Sequence, residues 1–361
     1  MIAWRVPEQI DHGAGVRIVG THTDSPSFHL KPVPDTESFG YEQVNVEVYG
    51  GPLLNSWLNR DLGLAGRIVL LDGAELLVRT EAVMVIPQVA PHLDRSMNKE
   101  LALSAQHDYH PIWSVSGGSI VDYLARTAAV SAERIAAMDV FAYDAQPPQI
   151  FGGRAGTDFI ASGRQDNLSS VFPALAAFVG AEPSGDIQVF AALNNEEIGS
   201  RTYAGAAGGF LESILRRLIE HTCGAGNEIF ERVIANSSCV SADAGHAVNP
   251  NRAELHDPAH RPLLGAGPLL KIHASGAYSS NALTQALLIR AAASADVAIQ
   301  EFVSNNDVPC GSTIGPITAT RLGIATVDCG IPLLSMHSVR ELSAPSDLKD
   351  FAALLAAYWE M

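Results

Sequence analysis

Between residues 40 and 90 apolar and polar side chains alternate with a period of two, the mark of strands with one face in a core. In EQVNVEVYG the residues Val44, Val46 and Val48 share one face. GRIVLLDGAELLVRT reads as strand, Asp72–Gly73 turn, strand, a hairpin, and VMVIPQV as a further apolar strand ending at Pro87. SIVDYLARTAAVSAERIAAM, residues 119–138, then takes up a helical period, with Ser131 a candidate N-cap. From about residue 153 the texture changes. NLSSVFPALAAFVG places Leu168, Val171, Phe172, Leu175, Phe178 and Val179 on one helical face, with Pro173 in the first turns or at a kink. IQVFAALN is an apolar run suited to a strand buried on both faces; RVIANSSCVSAD and IATVDCG look alike. After Pro345, the positions of Leu348, Phe351, Leu355 and Tyr358 predict a terminal helix.

Strands that alternate with helices predict an α/β sheet with helices on both sides. Residues 14–24 resemble the strands after residue 153 more than those between 40 and 90. The expected organisation is therefore one discontinuous α/β domain, residues 1–30 and 152–361, interrupted by a β-rich insertion over residues 31–151. No internal repeat or low-complexity tract is evident.

Composition narrows the partners. The chain has 361 residues, 47% hydrophobic and 17% charged, enough apolar content for a sizeable core. Its formal charge of −16 argues against nucleic acid or an anionic membrane as partner. No apolar run approaches a bilayer span, and MIAWRVPEQIDHG lacks the basic-then-apolar order of a signal peptide. Cys223, Cys239, Cys310 and Cys329 lie far apart with no CxxC pair, which predicts a reducing, cytoplasmic setting and neither a cysteine-built zinc site nor a disulfide framework.

Five apolar strands share one peculiarity: each ends in a cluster of His, Asp or Glu, where open α/β sheets place their ligands. These are THTDS (His22, Asp24), GRQDN (Asp166), NNEEIGS (Glu196, Glu197), SADAGHA (Asp243) and SMHSVRE (His337, Glu341). Two Zn²⁺ ions would bring four positive charges. Asp166, Glu197 and Asp243 supply three negative charges and one shared hydroxide a fourth, so with His22 and His337 neutral the site closes at zero and can be buried. Imidazole and carboxylate together suit zinc or a similar divalent ion. In extended chain residues two apart point the same way, so Asp24 can orient the His22 ring. At a strand end Glu196 and Glu197 diverge, so that one can ligate while the other takes a proton from the attacking water and passes it to the leaving amine.

Each member has a plainer reading when viewed singly. Asp166 could be an N-cap, Asp243 a turn residue, His337 a core or surface histidine, and Glu196–Glu197 an exposed acidic turn. Together these readings require five unrelated coincidences at five strand ends. His107 and His110 have i, i+3 spacing but sit among polar residues and read as loop. The glycine pairs 152–153 and 208–209 lack the context of a nucleotide fingerprint, and no GxSxG is present.

THTDSPSFHLKP, YGGPLLNSWLNRDLGLAGR, SGRQDNLSS, NNEEIGS, SADAGHAVNPN, GSTIGPI and SMHSVRE, in this order, resemble the aspartyl aminopeptidase family of dinuclear zinc peptidases over nearly the whole chain. The resemblance implies that Asp166 bridges two metals, that His22 and Asp243 complete one ion, and that Glu197 and His337 complete the other. It makes Glu196 the catalytic base and Asp24 the support of His22. It implies that His92, in IPQVAPHLDR, reaches a neighbouring subunit's site to help bind substrate. The implied fold is a metallopeptidase α/β domain, a central mixed sheet flanked by helices, interrupted by an oligomerisation domain, and assembled as a tetrahedral dodecamer. The implied reaction releases N-terminal residues from peptides, with a frequent preference for Asp or Glu. An acidic side chain needs a cationic or multiply donating pocket, for which Lys271 and Tyr278 are the candidates. The plainer reading of Lys271 is a solvated lysine at a strand end. Two departures stand out. His273–Ala277 is less polar than the corresponding run in the family, which leaves broader specificity open. His22 also stands closer to the start than in relatives, which would expose apolar surface. Competing readings are another dinuclear amide hydrolase (a glutamyl-type aminopeptidase, dipeptidase or deacylase) and a catalytically inactive shell protein, which the intact Glu196 disfavours.

Overall fold

A computed structural model of the chain describes residues 1–11 and 13–361. It divides into two compact units: Met1–Ser25 with Ile150–Met336 and Glu341–Met361, and Pro26–Gln149 with His337–Arg340. Among the described residues no helix is long and apolar enough to cross a membrane.

The first unit is built on a seven-stranded mixed sheet. Its strands run, edge to edge, Ile2–Arg5, Ile187–Leu193, Val16–His22, Ser238–Ala242, Ala325–Gly330, Leu269–Ile272 and Gln300–Val303. Val16–His22, Ile187–Leu193, Ser238–Ala242 and Ala325–Gly330 pair in parallel. Every residue of Ile187–Leu193 is buried, as expected of a strand covered on both faces. Helix Pro345–Glu360 turns Phe351, Leu354, Leu355, Tyr358 and Trp359 into the core on one side of the sheet, together with Ala174 and Ala177. Helices Phe210–Thr222 and Asn227–Ala235 cover Val16, Ile18, Ile187 and Val189 on the other.

Helix Gln165–Gly180 buries only part of the face that its period suggests: Val171 and Phe178 pack on the core, the rest of the stripe does not. The buried residues are Ser169, Ser170, Pro173, Ala174 and Ala177, whereas Phe172 and Val179 are 70% and 72% exposed. Small side chains let it lie close to helix Pro345–Glu360, and Asp166 and Asn167, both buried, set its rotation. RVIANSSCVSAD also divides: its first residues end helix Asn227–Ala235, and the strand begins only at Ser238.

The second unit is a six-stranded sheet in the order Glu75–Arg79, Leu62–Leu70, Ile135–Asp144, Ser27–Ser38, Tyr41–Tyr49, Ile112–Ser114. The hairpin at Asp72–Gly73 is present. VMVIPQV contributes only isolated bridges, Leu62 to Met84 and Val85 to Ile112. The helix expected over 119–138 stops at Thr127; it starts at Ile120 and is capped by Ser119, whose side chain accepts from the Asp122 N–H. Ser131 caps no helix by side-chain bond. Residues 135–144 form a strand instead, because pairing with Leu62–Leu70 buries Val140 and Ala142 on alternate positions and outweighs the helix propensity of the alanines.

Candidate metal and catalytic centre

Three parallel strands of the first unit end at one edge of the sheet and deliver three of the sequence clusters. His22 is the last residue of Val16–His22, Asp243 follows Ser238–Ala242, and Glu196–Glu197 follow Ile187–Leu193 in a short 3-10 turn. Asp166 comes from the opening of helix Gln165–Gly180, where its backbone departs from helical geometry (φ −81°, ψ 103°). The N-cap position belongs to Arg164, so Asp166 is not that helix's cap. Its neighbour Asn167 donates from Nδ2 to the Ala242 carbonyl at 2.9 Å and accepts from the Ala244 N–H at 3.3 Å. These bonds tie the start of the helix to the chain on either side of Asp243.

The functional atoms converge. His22 Nε2 lies 3.3 Å from Asp166 Oδ1 and 3.3 Å from Asp243 Oδ1. One donor atom from each of His22, Asp166 and Asp243 falls within 4.8 Å of the others, and so does one from each of His22, Glu196 and Glu197. On the far side of the ring, His22 Nδ1 is 3.1 Å from the Asp24 carbonyl oxygen and 3.5 Å from Asp24 Oδ1. Asp24 does more than orient the imidazole. Its Oδ1 accepts from the Glu196 N–H at 3.0 Å and its Oδ2 from the Glu197 N–H at 3.1 Å, which fixes the turn that carries both glutamates.

Electrostatics follow from this crowding. Burial would lower the His22 pKa, but the carboxylates of Asp166, Asp24 and Asp243 outweigh it and hold the ring well above 6.5. Burial, then Asp243, pushes the Glu196 carboxyl up to about 7. A cluster this rich in carboxylate binds positive charge, as protons or as cations. Imidazole nitrogen and carboxylate oxygens meeting at one buried point also form the donor set that zinc selects. The residues present therefore fit a divalent metal.

The other candidate residues differ in their surroundings. His337 is counted with the second unit, half-buried at φ +65°, with Nδ1 2.9 Å from the Gly51 carbonyl oxygen. A carbonyl oxygen only accepts, so Nδ1 donates in that bond and Nε2 is the ring nitrogen that could hold a metal. His92 is exposed in a turn of the second unit, and His110 there meets the Gln106 carbonyl. Lys271 is not a solvated strand-end lysine: it is 1% exposed, with Nζ donating to the Ala244 carbonyl at 2.9 Å and to Asp243 Oδ2 at 3.5 Å. Burial would lower its pKa; Asp243, Tyr278 and Asp328 outweigh burial and keep it charged. Nζ stands 5.1 Å from the centre of the Tyr278 ring, whose phenol burial pushes up to about 12.

Two supports had no role assigned from the sequence, although Glu341 stood in one of its five clusters. Glu341 is buried and accepts from the Asp166 N–H at 3.0 Å; its place in SMHSVRE was the available signal. Gly330 ends the strand Ala325–Gly330, and a Cβ there would stand 1.8 Å from the Asp243 carbonyl oxygen. Its only trace in the sequence is a glycine closing IATVDCG.

Comparison with known proteins gives a consistent result. The family profile described as Aminopeptidase I zinc metalloprotease (M18) matches residues 1–359. A probable M18 family aminopeptidase 2 from Streptomyces avermitilis is 44% identical over 370 residues, covering 100% of this chain and 85% of its own. Among solved structures, the cryo-EM structure of an Ape4–Nbr1 complex superposes with a TM-score of 0.93 at 32% identity, over 99% of this chain and 74% of that one. The mApe1 dodecamer of S. cerevisiae superposes with a TM-score of 0.84 at 27% identity, over 99% and 82%.

Proposed function

Because the chain belongs to the M18 family of zinc metalloprotease aminopeptidases and is a metal-dependent aminopeptidase, we propose that it releases single N-terminal residues from peptides at a pair of divalent cations, zinc by donor chemistry. The observation that carries this reading is the meeting of His22 with Asp166 and Asp243, and of His22 with Glu196 and Glu197, each group with donor atoms within 4.8 Å, where the ends of three parallel strands meet the start of helix Gln165–Gly180. Asp166 would bridge the cations, His22 and Asp243 would complete one, and Glu197 and His337 the other, as the family motifs imply. When bound, the metal pair supplies Lewis acidity toward the scissile carbonyl and lowers the pKa of water.

The protein's own groups do the rest. Glu196 accepts the proton of the attacking water and delivers it to the leaving amine. Asp24 holds Glu196 and Glu197 through their N–H groups, so the base keeps its orientation relative to the ligands. An acidic first residue is the substrate whose carboxylate would meet Lys271 beside Tyr278. The assembly we propose is a homo-oligomer, a tetrahedral dodecamer in which His92 of one copy serves the site of another; the family resemblance and the dodecameric yeast neighbour support it.

One assay tests the reaction, the metal requirement and the preference together: a panel of aminoacyl chromogenic amides, with and without chelator. Hydrolysis of free-amine substrates that chelator abolishes and zinc restores is expected. Turnover confined to N-acylated substrates or to dipeptides would replace this reading with a deacylase or a dipeptidase.

A further inference from the structure

Two features of the first unit are assigned no role in the proposed reaction: the segment GSTIGPI, residues 311–317, and Asp328, a carboxylate with no exposed surface. A buried carboxylate is costly unless donors hold it, and this one is held. Its Oδ1 accepts from Thr313 Oγ1 at 2.5 Å and its Oδ2 from the Ser279 N–H at 2.6 Å. Its own N–H donates to Ser280 Oγ at 3.0 Å. Thr313 is the N-cap of helix Ile314–Leu322, and its Oγ1 also accepts from the Gly315 N–H at 3.2 Å. A Cβ on Gly315 would come within 2.5 Å of both Asp328 carboxylate oxygens, so the absence of a side chain there makes room for the carboxylate. The motif is a cradle for Asp328.

Asp328 in turn faces Lys271. The two are directly paired across the antiparallel ladder between Ala325–Gly330 and Leu269–Ile272, so their side chains leave the same face of the sheet about 5 Å apart at Cβ. Lys271 reaches onward to Asp243 Oδ2 at 3.5 Å, and the other oxygen, Oδ1, is the one 3.3 Å from His22 Nε2. A file of polar groups thus crosses three strands, from Thr313 through Asp328 and Lys271 to Asp243.

We propose that Asp328 is a positioning residue for the cation site: cradled by Thr313 and Ser279, it anchors Lys271, which fixes Asp243 Oδ2 and so aims Oδ1 at the metal. This rests on the metal reading given above. Loss of such a support around a ligand lowers metal affinity or activity by about 10- to 100-fold.

The test is a cycle on the full chain: wild type, Asp328→Asn, Lys271→Met and the double variant, each measured for zinc affinity by competition with a chromophoric chelator and for kcat and KM. Asp328→Asn is expected to weaken zinc binding about 10-fold or more. In the Lys271→Met background the same change should cost less than about twofold, because its effect passes through the lysine. A purely structural Asp328 would lower thermal stability in both backgrounds and leave this coupling at zero; that result, or wild-type zinc affinity in Asp328→Asn, overturns the proposal. Should Asp328→Asn fail to fold, Thr313→Val removes the hydroxyl on Oδ1 together with the Gly315 cap bond; the lost cap lowers stability in both backgrounds, whereas weaker zinc binding that vanishes in the Lys271→Met background is again expected. Unchanged affinity there also overturns it. A wild-type chain that binds no zinc fails a different claim, the metal reading itself, and is recognised as such before any variant is compared.

Discussion

Glu196 and Glu197 are adjacent, yet the proposed mechanism gives them different work, and the Asp24 carboxylate on both N–H groups is what holds them apart in role. Glu196→Gln keeps the shape and removes the base. Hydrolysis should fall by about 10²- to 10⁴-fold while metal analysis still finds two ions per chain, as the proposed centre requires; an active variant would take Glu196 out of its role. The same carboxyl sets a pH dependence. Its pKa is about 7 in the folded chain against 4.5 ordinarily, so the folded state holds the proton more tightly and stability falls as pH rises through that interval. His22, also raised, acts in the same direction. Chelator-treated protein should therefore lose melting temperature between pH 5 and 7 relative to zinc-loaded protein, whose cations replace those protons. Parallel melting curves would contradict this. At Gly330 a single methyl decides the outcome: Gly330→Ala places a Cβ against the Asp243 carbonyl and is expected to weaken zinc binding in the same competition assay.

At the scale of elements, the helix Gln165–Gly180 shows how periodicity can mislead. Leu168, Phe172, Leu175 and Val179 form an apolar stripe, yet all four are more than a third exposed, and the side that packs is alanine and serine flanked by Val171 and Phe178. Ala174→Leu should overpack the contact with helix Pro345–Glu360 and cost about 1–3 kcal/mol in denaturant unfolding. Phe172→Ser in isolated protein should cost within about 0.5 kcal/mol. The reverse ranking would mean that the stripe, not the alanine face, is buried. The strand Ile135–Asp144 gives the opposite lesson. Its alanines read as helix until a pairing partner far away in sequence, Leu62–Leu70, is known.

The whole molecule is two units whose chain segments interleave: the first is assembled from three separate stretches, the second from two. Its net charge of −16 concerns solubility and partners, not the fold. Assembly is the property to measure at this scale. Size-exclusion chromatography with light scattering should give a mass many times the 38.2 kDa of the chain. A clean monomer that hydrolyses peptides would remove His92 from any role across subunits.

Most of the candidate site was legible in the sequence because strands bounded by His, Asp and Glu are visible as apolar runs with polar stops. That regularity brought His22, Asp166, Glu196, Glu197 and Asp243 forward as one group, and the mixed α/β architecture with them. Tertiary structure alone decided what depends on neighbours remote in sequence. Which face of Gln165–Gly180 is buried follows from the closeness of another helix. Whether Lys271 meets water or Asp243 follows from its place between two strands. Local pattern encodes which side chains can turn inward together; packing determines which of them have a partner when they arrive.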